Sequence, residues 1–130
     1  MEAESAKRII DKNLQYDEVK RLLVKLVQHA SPQTEQLEAE PQVLGLIRDV
    51  IKPELEQAGL HPSIDDKGNL ILRLNGRGRG DRLMLVGYAM NAAPSTMQNP
   101  YSGEIVDGAP YKLEGECVWG RGACEQKGSL

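Results

Sequence analysis

Between Tyr16 and His29 apolar residues recur at spacings of three and four, so that Val19, Leu22, Leu23, Leu26 and Val27 fall on one broad helical face. That face demands cover from a sheet or from a second helix. Ser5 is a candidate cap for an earlier turn, and Ser31-Pro32 closes the segment because the residue before a proline disfavours the helical conformation. A second helix is expected from Pro41, whose missing N–H costs nothing at the first position, to Ala58, with Gly59 at its stop. Leu44, Ile47, Ile51 and Leu55 mark its expected buried stripe. Pro53 lies within it, removes an internal hydrogen bond, and predicts a kink or a division into two pieces.

From Leu60 the period changes. Asp66-Lys67-Gly68-Asn69 is a turn signal between Pro62–Asp65 and Leu70–Leu74, and Leu70, Leu72 and Leu74 alternate with Ile71 and Arg73 as in a strand buried mainly on one face. Gly76-Arg77-Gly78-Arg79-Gly80-Asp81 reads as an exposed turn. Its Arg-Gly-Asp triplet is an adhesion signal, which a cytosolic setting disfavours. Leu83, Met84, Leu85 and Val86 form a continuous apolar run, the pattern of a central strand buried on both faces. Beyond Gly87 the chain is broken by Pro94, Pro100, Gly103, Gly108 and Pro110. Long loops beside the ends of buried strands are common ligand sites. The plainer reading makes Asn99-Pro100-Tyr101 and Asp107-Gly108 turns, with Tyr111 and Trp119 covering the loop.

Composition narrows the function classes. A chain of 130 residues bounds one domain, residues 1–130, which buries only about two thirds of its unfolded surface and must pack tightly or lean on a partner. Phe is absent, so the core must be built from Leu, Ile and Val. Lys plus Arg number 16 against 19 Asp plus Glu, a net charge of -3 that offers no basic surface to a nucleic acid. No apolar stretch approaches a membrane span, and the Met-Glu-Ala-Glu start lacks a secretory signal, so a soluble cytoplasmic protein is expected. That setting favours reduced thiols at Cys117 and Cys124 over a small disulfide loop. Neither cysteine belongs to a Cys-x-x-Cys pair, and His29 and His61 read as capping or surface residues rather than metal ligands. The glycine runs lack the Gly-x-Gly-x-x-Gly and Gly-Lys-Ser/Thr patterns of nucleotide loops.

The order of motifs resembles the aminoacylase, acetylornithine deacetylase and succinyl-diaminopimelate desuccinylase family of zinc amidohydrolases. Ser31-Pro32 follows the first helix, Asp65-Asp66-Lys67-Gly68-Asn69 stands at the family's Asp-x-x-Gly-Asn hairpin, and Leu85-Val86-Gly87-Tyr88-Ala89-Met90 stands at its Gly-His-x-Asp strand. Asn99-Pro100-Tyr101 and Asp107-Gly108 then lead to Gly120-Arg121-Gly122-Ala123-Cys124-Glu125-Gln126-Lys127-Gly128, similar to Gly-Arg-Gly-x-x-Asp-x-Lys-Gly. The resemblance spans nearly the whole chain. It implies the N-terminal portion of a zinc-peptidase-like α/β sandwich, with helices packed on a short mixed sheet.

The departures from the family bear on chemistry. The resemblance places Tyr88 where a zinc-binding His belongs, Met90 where an Asp orients that His, and Glu125 where an Asp bridges two metals. Glu125 is then the one candidate metal ligand, and the family's later Glu-Glu pair, Asp or Glu, and His fall beyond Leu130. The expectation is an isolated chain with no cofactor and no activity. Zinc or another divalent metal would enter in a complete assembly, with a protein partner supplying the remaining hydrolase-like domain and a small amide or N-acyl compound as substrate. Two readings stand side by side: a subunit or segment of a split hydrolase, favoured by an expected exposed sheet edge and a stop after Lys127-Gly128, and a non-catalytic structural or regulatory subunit, favoured by Tyr88 and Met90. Cys124 adjoins Glu125 but can attack an acyl group only with an activating base; no His is near in sequence and adjacent side chains need not face one cavity, so a packed or loop cysteine is preferred. Arg121 is a candidate anchor for a carboxylate through its guanidinium fork. Lys127 reads as an ion-paired or backbone-supporting residue rather than a substrate contact.

Overall fold

The computed structural model describes residues 2–130 apart from Arg77, Arg79, Asp81 and Gln126, and leaves aside the side chains of Glu2, Ala3, Glu38 and Ser129. Two members of the Arg-Gly-Asp triplet, Arg79 and Asp81, thus lie outside the described residues. Helices occupy the first half: α1 (Glu2–Asn13), α2 (Tyr16–Gln28), α3 (Pro41–Gly45), a π-helical stretch Leu46–Ile51, and α4 (Lys52–Gln57). The strands are short: β1 (Ser63–Ile64), β2 (Leu70–Ile71), β3 (Glu104–Asp107) and β4 (Glu116–Trp119). They form two antiparallel pairs, β1 with β2 and β3 with β4. This is a mixture of helices and small antiparallel sheets in place of the single mixed sheet expected. A lone parallel bridge joins Pro32 to Asn91.

The α2 helix is central because its apolar face is wide enough to be covered from two sides. Leu26 packs with Leu46 and Val50 to form the core, with Leu22, Ile51 and Ala89 at its margin. Val27, fully buried beside that cluster, faces the β4 end, where a Cβ on Gly120 would stand 2.0 Å from its Cγ1. Gly103 makes a second close approach, since a Cβ there would stand 3.1 Å from the Val24 carbonyl oxygen. Polar bonds fasten the same two sides. Glu54 of α4 accepts from Arg21 Nη2 at 2.8 Å and from Lys25 Nζ at 2.6 Å, while Lys20 meets Glu116 of β4 at 2.9 Å. The paired cations hold the Glu54 carboxyl down at about 2.

Several expectations hold. The α2 helix occupies its predicted span, with His29 at its cap, and Pro41 opens α3 behind the Glu40 carboxylate, which accepts from the Gln42 N–H. Ser5 lies inside α1 and caps nothing, because the good helix formers around it carry the helix back to Glu2. Pro53 does not divide the second helix. The helix widens into π geometry just before the proline, with the Lys52 N–H donating to the Ile47 carbonyl, which makes room where a proline ring crowds the preceding turn. The buried stripe is Val43, Leu46 and Val50. Leu44 and Ile47 of the expected stripe instead face Ile64 and Gly68 of the β1–β2 hairpin around a shallow cavity. Asp65 shapes that hairpin, its carboxylate accepting from the Lys67 and Asn69 N–H groups at 3.0 and 2.8 Å. The Asn69 side chain donates to that carboxylate as well, at 3.0 Å, and leads these bonds in holding the carboxyl below the usual range.

The largest correction concerns Leu83–Val86. These residues form no strand, and they stand 80–85% exposed. A strand buried on both faces needs a neighbour along each edge, and the described residues provide none. Leu70–Leu74 shortens to the two paired residues of β2 for a similar reason, since β1 is only two residues long and Leu74 has nothing to pack on.

Candidate functional site

The loop after β4 is held against the C-terminal end of α2 by a set of buried polar bonds. Ser31 stands just past the helix, and its Oγ donates to the Ala89 carbonyl at 2.8 Å. The Asn91 N–H donates to the Ser31 carbonyl at 2.9 Å, and the Gln33 N–H donates to the Asn91 carbonyl at 2.7 Å, which lays segment 89–91 beside 31–33. Asn91, 2% exposed, then reaches the loop by donating from Nδ2 to the Arg121 carbonyl at 3.0 Å. Arg121 answers from Nε to the Ala92 carbonyl at 3.0 Å and from its N–H to the Pro100 carbonyl at 2.6 Å.

Within the loop, the Lys127 N–H donates to the Gly122 carbonyl at 2.9 Å. Gly122 adopts φ +81°, and a Cβ there would fall 2.9 Å from Asn91 Nδ2, so both its conformation and its surroundings call for glycine. Lys127 is almost wholly buried, and its Nζ donates to the His29 carbonyl at 2.7 Å. Burial pulls that amine down to about 8. The expectation of a backbone-supporting lysine is therefore met. At the loop's base Trp119 Nε1 donates to the Gln98 carbonyl at 3.0 Å, and its ring lies 5.4 Å from that of Tyr111, which itself stands 53% exposed. Tyr101 is enclosed nearby, and its Oη finds no hydrogen-bond partner among the described residues. Burial pushes its phenol upward while the Arg121 charge opposes this.

The candidate residues divide into two sets. Arg121 lies in the pinned network, and Met90, half-buried, immediately precedes Asn91 of that network. Tyr88 is 60% exposed, and Cys124 and Glu125 stand on the open side of the loop. Both cysteines are free. Among the described residues no three His, Cys, Asp or Glu side chains gather as a metal would require. Tyr88 and Met90 offer a phenol and a thioether, and neither suits zinc: the phenol stays protonated near neutral pH, and the thioether is a soft, weak donor. Glu125 brings one carboxylate, which cannot fix a metal alone.

A second concavity, an open groove of about 510 Å³ between α2 and β4, is lined by Tyr16, Val19, Leu23, Leu113, Cys117 and Cys124. Its Lys20 and Glu116 are paired with each other at 2.9 Å, and Asp17, which also lines it, stands 3.9 Å from the same ammonium. Sequence reasoning missed Ser31 and Asn91, the two polar residues at the centre of the network. Their one signal was Ser31-Pro32 beside a buried helix end, which reads equally well as a simple stop. Among the described residues no helix is long and apolar enough to cross a membrane. Comparison with known proteins adds no relative to set beside this geometry: no family model, no curated protein and no solved structure matches the chain.

Proposed function

We propose that this chain is a partner-dependent subunit or N-terminal segment of an amidohydrolase-like or peptidase-like assembly, built as part of a zinc-peptidase-like α/β sandwich. The observation that carries the reading is Leu83–Val86, four consecutive apolar residues left 80–85% exposed. Such a run is costly in water and takes its natural place between two strands of another chain or segment. The motif order from Ser31-Pro32 to Lys127-Gly128 supports the class of assembly, and the pinned Gly120–Gly128 loop supports its use as a site wall. In this reading the partner supplies the remaining hydrolase-like domain and most metal ligands, Glu125 contributes one carboxylate, and Arg121 steers a small amide or N-acyl substrate.

Tyr88 and Met90 favour a second reading, in which the same assembly uses this chain as a non-catalytic scaffold. Native mass spectrometry of the untagged protein from its source tests both, because it weighs the partner and any retained metal together. A partner with bound metal, and turnover lost in Glu125→Gln without loss of assembly, supports the composite site. A partner without metal or activity supports the scaffold. A lone chain whose residues 83–86 exchange their amides slowly at low micromolar concentration overturns partner dependence, and stoichiometric tight zinc on the lone chain overturns the donor-set argument.

A further inference from the structure

We infer that Lys127 is the positioning residue of the Gly120–Gly128 loop, its buried ammonium plugging the C-terminal end of α2 and so setting where Arg121, Cys124 and Glu125 stand. The inference deepens the reading of that loop as a site wall, and it is tested without any activity. Among the described residues Lys127 is the largest fully buried side chain, at 1% exposed. A lysine in that position is exceptional, because ammonium groups lose strong hydration on burial and ordinarily snorkel to the surface. Its Nζ ends 2.7 Å from the His29 carbonyl, a residue 98 positions away at the helix cap. The last carbonyls of a helix have no intrahelical partner and carry partial negative charge, so a cation at this spot meets an unfilled acceptor.

The loop is built around the lysine stem. A Cβ on Gly122 would lie 3.3 Å from Lys127 Cγ, and one on Gly128 would lie 2.6 Å from the Ala123 carbonyl oxygen. The two glycines let the backbone fold tightly over a side chain that passes beneath it. Other polar side chains of α2, its cap and the loop bond elsewhere: Lys25 pairs with Glu54, the His29 ring faces the Gln42 carbonyl, and Arg121 Nε donates to the Ala92 carbonyl. The His29 carbonyl is thus the contact that directs this ammonium.

Three variants and one wild-type measurement decide the matter. Lys127→Met keeps the length of the stem and removes the ammonium, Lys127→Ala removes both, and Lys127→Arg keeps a charge. Amide exchange is followed at Arg121, Ala123 and Lys127, with the α2 amides of residues 20–23, away from the plugged end, as an internal reference. Loss of a charge-assisted bond predicts exchange about tenfold to a hundredfold faster at the loop amides in Lys127→Met, with the α2 amides unchanged and the emission of Trp119 shifted. Partial return of protection in Lys127→Arg is expected. Loop exchange in Lys127→Met equal to the wild type, with an effect only in Lys127→Ala, would assign the role to the stem and overturn the inference. Should the variants fail to fold, competitive acetylation of the wild type still tests the burial on which the inference rests. Lys127 must react at least about tenfold more slowly than exposed Lys67, and equal rates would refute its burial.

Discussion

Asn91→Ala removes the side chain that ties segment 89–91 to the site loop, and the structure sets the size of the effect. The hydroxyl of Ser31 has one hydrogen, which the 2.8 Å bond to the Ala89 carbonyl claims, so its 3.3 Å contact with Asn91 Oδ1 adds little. The principal loss is the 3.0 Å bond from Asn91 Nδ2 to the Arg121 carbonyl. A neutral bond of this kind contributes about 1 kcal/mol, and leaving a partly buried carbonyl without its donor costs about 1 kcal/mol more. The total is about 2 kcal/mol, or roughly 6–10 °C in Tm for a domain of this size. Urea unfolding measures it directly, with an unchanged m-value showing that the same surface is exposed. Asn91→Asp is the sharper variant, because it replaces the donor facing the Arg121 carbonyl with a second acceptor, and it must cost more than Asn91→Ala. Ser31→Ala should couple to Asn91→Ala by about 0.5 kcal/mol or more in a double-mutant cycle, since both serve the same junction. A cost below about 0.5 kcal/mol for Asn91→Ala, or an Asn91→Asp protein as stable as the wild type, would show that the junction is held by backbone bonds alone.

Two further predictions concern the faces of α2. Glu54 has its carboxyl held at about 2 against an ordinary 4.5, so its stabilising contribution is complete above pH 4.5 and is lost as the pH falls toward 2. Arg21 and Lys25 remain about half exposed and screened, which limits that contribution to about 1 kcal/mol; Glu54→Gln should cost this much at pH 7 and almost nothing at pH 2, and a cost independent of pH would contradict the pairing. Gly120→Ala places a Cβ 2.0 Å from Val27 Cγ1 and should destabilise by about 1–3 kcal/mol, with part of the loss returned when Val27→Ala is added. Strictly additive costs in thermal unfolding of the pair would refute that contact.

Local chemistry was legible in the sequence. The three- and four-residue spacing of α2, the proline that opens α3, the turn glycines Gly59 and Gly68, and a core of Leu and Val without Phe all follow from interactions between residues close together in the chain. The π-helical widening before Pro53 was visible only as a disturbance, since a missing N–H announces trouble without choosing between a break and a wider turn. Which side of the second helix is buried was decided in three dimensions: Val43, Leu46 and Val50 are buried, the last two against Leu26 of α2, while Leu44 and Ile47 turn to the hairpin. Periodicity marks an apolar face but does not say which of two coverings approaches it more closely. The Leu83–Val86 run carried the pattern of a central strand, and its exposure reflects neighbours that no segment of the described chain provides. The loop network lay furthest from view. Ser31 and Asn91 are 60 positions apart and Lys127 and His29 are 98 apart, so their bonds exist only because folding brings the end of one helix beneath a distant loop. The sequence by itself determined which segments coil and turn, through contacts a few residues long. Tertiary structure alone decided which polar groups are buried and what they hold, because burial is a property of the partner that arrives.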